Sequence, residues 1–433
     1  CYKFLGYLTK VFMINIPDFS NIKVRDYLPK KRNLSNGIPT YTFYSDDNEA
    51  VYLKFVFYNA GTLLQDKFFV ASLTKTQLNK NTKDYTYKQL ADEMDFYGLN
   101  FVPTTGNERT SLSFSFLSRY KENVFPLLQQ MILYPRFEQD TLDIQISNAK
   151  QNYQTKLQQT NFLAHRYFMQ GVFGKNNPYG KYAEVEDYDK VRKEDLQEFW
   201  QKHYTLNQCY IMLAGNVEES IFELLENYFG KIETSSPVKE WDIDFKPENS
   251  KGLIRNNLNS AMQSSIVMGR LLPKIDSEDY VALLVLNCAL GGYFNSRLMS
   301  NIREDKGYTY GIDSALLPFK YGNIMLIVSD IAMDKEKESI EEIRKEMFIL
   351  QNENISEKEL SIVKNYMTGD MLRSNDGVVE ICENYEYILR NKLREDYNSY
   401  LIERIRNISS EEIKNVAQKY LNPDDFLCSV VGK

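Results

Sequence analysis

The stretch richest in groups that could do chemistry runs from Leu290 to Gly311: Leu-Gly-Gly-Tyr-Phe-Asn-Ser-Arg-Leu-Met-Ser-Asn-Ile-Arg-Glu-Asp-Lys-Gly-Tyr-Thr-Tyr-Gly. The Arg303 guanidinium and the Tyr310 phenol, separated by six residues, are donors suited to a carbonyl or an oxyanion. Taken alone the pair is ordinary, because a cation in a last helical turn and an aromatic residue in a strand usually serve the fold. Other chemistries are poorly supplied. The only two histidines, His165 in Phe-Leu-Ala-His-Arg-Tyr-Phe and His203 in Lys-His-Tyr, read as packing or capping residues. The 5 cysteines (Cys1, Cys209, Cys288, Cys382, Cys428) are scattered, without Cys-x-x-Cys, and read as buried free thiols, not a disulfide framework. The chain has no Gly-x-x-x-x-Gly-Lys-Ser/Thr phosphate loop and no Gly-x-Ser-x-Gly elbow, and Gly291-Gly292 is too small a cluster for a nucleotide. Acid pairs such as Glu184 and Glu186, or Asp424 and Asp425, lie in polar surroundings and read as solvated charge.

Local signals predict how the string is held. Gly291 and Gly292 permit a sharp break or start of a helix. Asn295 or Ser296 can cap a short helix with Leu298, Met299 and Ile302 on one face. Lys306 then Gly307 end it, and Tyr308-Thr309-Tyr310 opens a strand. Arg303 is thereby set near a helix end, with Tyr310 just past the turn. Further back, alternation predicts strands over 51–59, with Tyr52, Lys54, Val56 and Tyr58 on one side, over 110–117 and over 209–214. Helical spacing is seen over 68–78, 86–97, from Asp140 towards Phe173, and over 193–204. A Ser-, Pro- and Lys-rich passage near 232–252 reads as a linker, after which the pattern starts again. Phe137 to Leu142 matches Ile355 to Leu360. The helix-strand pair from Leu196 to Gly215 matches that from Ile413 to Gly432 at nearly equal spacing. These matches indicate a duplicated α+β unit, not an array of short repeats.

Composition fits that plan. The 433 residues are enough for two domains, and 43% hydrophobic with 26% charged residues is typical of a globular protein. A net charge of −7 argues against nucleic acid, and Lys30-Lys31-Arg32 is too short to reverse it. No apolar run reaches the length of a membrane span. The opening Cys1-Tyr-Lys-Phe-Leu-Gly-Tyr-Leu-Thr-Lys lacks a signal-peptide core; it leaves a processed lipoprotein open, and Met13 is an equal candidate for the start. The expectation is a cytoplasmic protein.

The string from Leu290 to Gly311 closely resembles the second half of pitrilysin/insulinase-type zinc peptidases, the family with the inverted motif His-x-x-Glu-His. The resemblance runs from about Leu34 to Gly432 and implies an α+β fold of two homologous domains, each a mainly antiparallel sheet backed by helices. The plan is an N-terminal extension over 1–12, a first domain over 13–232 with a degenerate zinc motif, a linker over 233–252 and a second domain over 253–433 with the Arg/Tyr motif. In active relatives the zinc motif follows the first strand. Here Ser72-Leu-Thr-Lys-Thr76 stands there, so the would-be ligands are Ser72 and Thr76 and the would-be base is Lys75. Hydroxyls are poor zinc ligands and an ammonium is no base at neutral pH. The helix that would carry the distal glutamate has no carboxylate between Asp143 and Glu184. What the resemblance implies is a chain without metal that pairs with a homologous His-x-x-Glu-His subunit. The zinc is expected in that partner. Arg303 would grip peptide carbonyls and Tyr310 would donate to the oxyanion, with Gly291 and Gly292 shaping the adjoining substrate loop. The competing reading is an inactive relative serving as a peptide-binding or structural core subunit, alone or as a homodimer.

Overall fold

Strand β3 (Ala50–Phe57) shows how the first half is built. Val51, Leu53, Phe55 and Phe57 alternate onto one face, where they are fully buried. The computed structural model describes residues 24–235, 239–241, 246–320 and 322–433. The expected extension over 1–12 and the residue Cys1 lie outside them. The first half contributes β1 (Lys30–Asn33), β2 (Pro39–Tyr44), β3, β4 (Asn100–Thr105), β5 (Thr110–Leu117) and β6 (Cys209–Gly215), in the spatial order β1-β2-β6-β3-β5-β4. The second contributes β7 (Gly252–Asn257), β8 (Ser264–Leu272), β9 (Thr309–Phe319), β10 (Gly322–Ile331) and β11 (Leu427–Gly432), ordered β7-β11-β8-β10-β9. In each sheet one pair is parallel, β2 with β6 and β7 with β11, and the others are antiparallel. The duplication read from the sequence is visible as one strand order used twice.

Helices α1 (Val70–Gln77), α2 (Tyr87–Phe96), α3 (Lys121–Leu133), α4 (Gln139–Lys156), α5 (Thr160–Phe173), α6 (Lys193–His203) and α7 (Glu219–Leu225) belong to the first half. The second half holds α8 (Tyr280–Gly291), α9 (Glu336–Asn352), α10 (Glu357–Arg373), α11 (Val378–Arg390), α12 (Tyr397–Asn407) and α13 (Ser410–Tyr420). Helix α2 starts where Thr86 and Gln89 close a capping box. The single helix expected from Asp140 to Phe173 is two, α4 and α5, because the chain leaves helical geometry before Thr160, where Gln159 is extended at φ −102° and ψ 125°.

Each sheet buries one face beneath helices of its own half. The other face is covered by a helix from the opposite half. From the first half, α5 lays Ala164, Phe168 and Val172 against Val267, Leu326 and Leu427 of the second sheet. Gly269 makes room for it: a Cβ there would sit 2.9 Å from the Phe168 ring. In return, α11 lays Cys382 and Tyr385 against Phe43, Val56 and Met212 of the first sheet. Lys54, which alternation alone would send to water, is therefore only 7% exposed. Its amine donates to both Glu383 carboxylate oxygens, at 2.9 and 2.7 Å, and Tyr52 also donates to Glu383 at 2.6 Å. Glu386, buried one helical turn on, accepts from the Tyr210 hydroxyl at 2.7 Å and lies 3.9 Å from Arg109 and 4.0 Å from Lys54.

Removing the buried Glu386 carboxylate takes the acceptor from the Tyr210 hydroxyl and leaves Lys54 with Glu383 alone and Arg109 with Glu240 alone. Glu386→Ala should lower the unfolding free energy by about 3 kcal/mol, read by urea denaturation. Glu395→Ala, which breaks the exposed Lys31–Glu395 pair, should cost under about 1 kcal/mol. Equal costs would show that the buried cluster does not hold the halves together.

Candidate functional site

Helix α1 carries Ser72, Lys75 and Thr76, the positions that the sequence resemblance sets against the zinc motif. It starts after Phe69, whose backbone is left-handed at φ 69° and whose ring stacks on Tyr188 at 3.5 Å. The Ser72 hydroxyl donates to the Phe69 carbonyl at 2.9 Å, which keeps it on its own helix. The Thr76 hydroxyl lies 2.8 Å from the Leu73 carbonyl and 3.0 Å from Gln145 Oε1. Gln145, on α4, returns a bond from Nε2 to the Thr76 carbonyl at 3.0 Å, and its Oε1 also accepts from Gln77 at 3.1 Å. Thr141 donates to Gln77 Oε1 at 3.0 Å, so neutral amides and hydroxyls lash α4 to α1. Lys75 is half-buried and donates to the Pro103 carbonyl on edge strand β4 at 3.3 Å; burial lowers its pKa from the usual 10.5. These residues do not fit a zinc ion. They offer two committed hydroxyls, a neutral amide and an ammonium, and among the described residues no group of three His, Cys, Asp or Glu could hold a metal.

The histidines and cysteines add no site. The buried His203 ring lies 4.5 Å from that of Phe199, and the His165 Nδ1 is 3.3 Å from the Tyr182 hydroxyl; burial lowers both imidazoles. Cys209, Cys288, Cys382 and Cys428 are buried free thiols, with Cys288 and Cys428 pushed up by burial to about 12.

Arg303 sits in a π-wound segment, Met299–Asp305, not an α-helix. The backbone bond from Lys306 N to Asn301 O, at 3.1 Å, spans the wide turn. No side chain caps its entry: the Ser296 hydroxyl is buried without a partner and Asn295 is exposed, so the expected cap is absent. Gly307 ends it at φ 64°, as its position predicts. The Arg303 guanidinium is held on two sides. It donates to Glu304 at 2.8 Å and stands 4.7 Å over the Phe294 ring. Tyr310 follows on β9 and is 100% exposed. Its neighbours are fixed, with Thr309 donating to the Asp330 carbonyl at 2.6 Å and Ser329 to the Gly311 carbonyl at 2.8 Å, so the phenol projects from an anchored backbone.

Gly291 and Gly292 act by close approach, not by unusual backbone angles; Gly292 has φ −84°. A Cβ on Gly291 would lie 2.7 Å from the Ser314 hydroxyl, and one on Gly292 2.7 Å from the Cys288 Cα. Gly291 is buried inside this packing, and the exposed part of the loop is Phe294 and Asn295. Asn287 completes the joint, donating to the Ser314 carbonyl at 3.1 Å while accepting from the Ser314 hydroxyl at 3.1 Å. Sequence reasoning passed over Gln145, Asn287 and Phe294. Asn287 had a signal, as the one amide in an otherwise apolar run, Val281 to Leu290. Gln145 had none, since an amide among the polar residues of α4 carries no mark of a metal site.

Lys75 provides a test of this geometry. Its folded pKa lies below its unfolded one, so the protonated form favours the unfolded chain, and that penalty is full below the folded pKa. Lys75→Met should therefore equal or exceed the wild type in urea stability at pH 7. The gain should shrink as pH rises through the lowered folded pKa towards the usual 10.5 and vanish above it, where the wild-type amine is neutral in both states. A Met variant that loses stability at pH 7 would make the ammonium a structural ligand instead.

Comparisons with known proteins place the chain. The family model described as "Insulinase (Peptidase family M16)" matches residues 70–177 and that described as "Peptidase M16 inactive domain" matches residues 190–367. The Bacillus subtilis protein named "uncharacterized zinc protease YmxG" is 22% identical over 68% of this chain and 71% of its own length. The Helicobacter pylori "non-peptidase homolog YmxG" is 21% identical over 87% of each. A crystal structure from Pseudomonas fluorescens, described as a peptidase M16 inactive domain, superposes with a TM-score of 0.82 at 21% identity, over 93% of this chain and 98% of that one. With one strand order in both of its sheets and M16 family models matching 70–177 and 190–367, the second of them the inactive domain, the chain belongs to the insulinase-type peptidase family M16.

Proposed function

We propose that this chain is the non-zinc subunit of a two-chain metallopeptidase, lending Arg303 and Tyr310 to a site whose zinc and general base lie on a homologous His-x-x-Glu-His partner. The observation that carries this reading is the contrast between the two motif regions. Ser72 and Thr76 are spent on bonds within the helix layer and Lys75 on the β4 edge, whereas Tyr310 stands wholly in solvent on a fixed strand entrance. A fully exposed phenol with an anchored backbone has nothing to do for this chain's own core. In the pair, zinc would supply the activated water and polarise the scissile carbonyl. Tyr310 would donate its hydroxyl proton in a hydrogen bond to the oxygen that gains charge, a preorganised electrostatic role. Arg303, held in place by Phe294 and Glu304, would donate to a backbone carbonyl of an extended peptide. Phe294 and Glu304 restrain the Arg303 guanidinium, and Tyr310 projects from an anchored backbone.

A second reading is an inert peptide-binding or structural subunit, and one observation favours it: the Arg303 guanidinium already has a carboxylate partner in Glu304. That contact is exposed and weak enough to be exchanged for substrate. Co-expression with a His-x-x-Glu-His homologue separates the two readings. The pair should cleave a quenched-fluorescent peptide that neither chain cleaves alone. Tyr310→Phe should then cut kcat about a hundredfold with assembly intact by size-exclusion chromatography. An unchanged kcat would remove Tyr310 from the reaction, and a pair that assembles without cleaving would leave the inert reading.

A further inference from the structure

Arg109, at the end of the β4–β5 turn, lies where two clefts between the halves meet. The larger, about 650 Å³, is walled by that turn, by the β9–β10 hairpin and by the end of α11. Its lining carries five cations, Arg109, Lys274, Lys320, Arg390 and Lys392, against three carboxylates. In a chain of net charge −7 that local excess is not a matter of composition. Pairing accounts for part of it. Glu240 is 3.0 Å from Arg109 and 3.6 Å from Lys392, and the Lys320 amine donates to the Trp241 carbonyl and stands 4.5 Å over its ring. Glu108 accepts from the Tyr179 hydroxyl at 2.8 Å. Among the described residues no carboxylate pairs with Lys274 or Arg390; Arg390 rests 5.6 Å over Tyr387. Arg390 closes α11, and a helix end by itself favours a cation there. Lys274, in the loop between β8 and α8, has no such reason, and it comes from the other side of the same cleft.

From this we infer that the cleft is a binding site for a carboxylate-rich peptide segment, clamped between Lys274 and Arg390. The volume suits a short peptide. Shape argues for a chain in preference to a compact anion. The second cleft, about 460 Å³, shares Gly106, Arg109 and Arg390 with the first and runs along α11 over the hydroxyls of Ser111, Ser113 and Thr104. Together they form a groove with cations in excess at one end and, along the other, hydroxyl donors beside Lys54, Glu383 and Glu386, whose charges answer one another. Acidic side chains would pair with Lys274 and Arg390 while the rest of the segment bonded to the hydroxyls and to the Asn107 and Asn391 amides. This site is apart from Arg303 and Tyr310, neither of which lines it, and it does not depend on the role proposed for them.

The test uses fluorescence anisotropy on the full chain with a labelled Asp-Glu-Phe-Asp-Glu-Phe peptide, its Asn-Gln-Phe-Asn-Gln-Phe counterpart and inorganic phosphate as a competitor. The acidic peptide should bind at least about tenfold more tightly than the neutral one. The double variant Lys274→Gln/Arg390→Gln should lose at least about tenfold in affinity for the acidic peptide alone, since two charge-assisted contacts go. Both substituted side chains are exposed, so the melting temperature should be unchanged. Equal binding of the two peptides, wild-type affinity in the double variant, or no binding of either peptide would each overturn the site. Displacement by equimolar phosphate would overturn the peptide as its occupant.

Discussion

Glu386 bears the join on which the rest of the molecule depends. It sits on a helix of the second half, buried against a sheet of the first, and answers charges and a hydroxyl that belong to three different strands or turns there. Lys54 can be buried in the middle of β3 only because α11 brings Glu383 and Glu386 over it. The apolar half of the contact, Cys382 and Tyr385 on Phe43, Val56 and Met212, gives adhesion without direction. The charges fix how far along the sheet the helix lies, because a displaced helix would carry both carboxylate partners away from the buried Lys54 ammonium. The opposite exchange, α5 on the second sheet, is set instead by shape, with Phe168 seated over Gly269. One crossing is registered by charge and the other by close packing.

The same economy explains what became of the zinc-motif helix. In each half the helix that follows the first long central strand sends a polar side chain to a carbonyl of the edge strand: Lys75 to Pro103 on β4, Asn287 to Ser314 on β9. Met299 also meets the Ile312 amide of β9. An unprotected edge invites pairing with another chain. With Pro103 lacking an amide hydrogen and Lys75 on its carbonyl, that part of β4 is a poor place to add a strand. The position that would hold a general base in an active relative thus does here what an amide does in the sister half. That is a structural use, and the lowered Lys75 pKa is its by-product.

Much of this was legible in the sequence because it rests on local patterns. Alternation from Val51, the helix over 86–97 and the Lys306-Gly307 stop each appear where the residues say, since each is decided within a few positions. The duplication was legible because it repeats. What could not be read were the partners brought from far away. Lys54 looks like a solvent-facing residue until α11 covers it, and nothing near Gln145 announces that it will bridge to Thr76. The break before Thr160 escaped notice because 140–173 holds no glycine or proline until Gly171, so only tertiary packing divides it. At the candidate site, the residue identities came from Arg303 and Tyr310 themselves, while the Phe294 and Glu304 contacts that restrain the guanidinium required coordinates.

The wide winding from Met299 to Asp305 has an implication for how this chain could change. Such a segment uses more residues per turn than ordinary helical winding. Losing one residue there would let the turn close to ordinary winding, with the entry and the Gly307 stop keeping their places while the residues within the turn change their facing. Arg303 would leave the Phe294 ring and face another direction with no side chain altered. On the other domain, rebuilding a metal cage would demand several coordinated replacements and the dismantling of the Gln145 lashing. Turning the guanidinium is thus a short genetic step, and installing a metal cage a long one, so the two ends of this protein stand at very different distances from change.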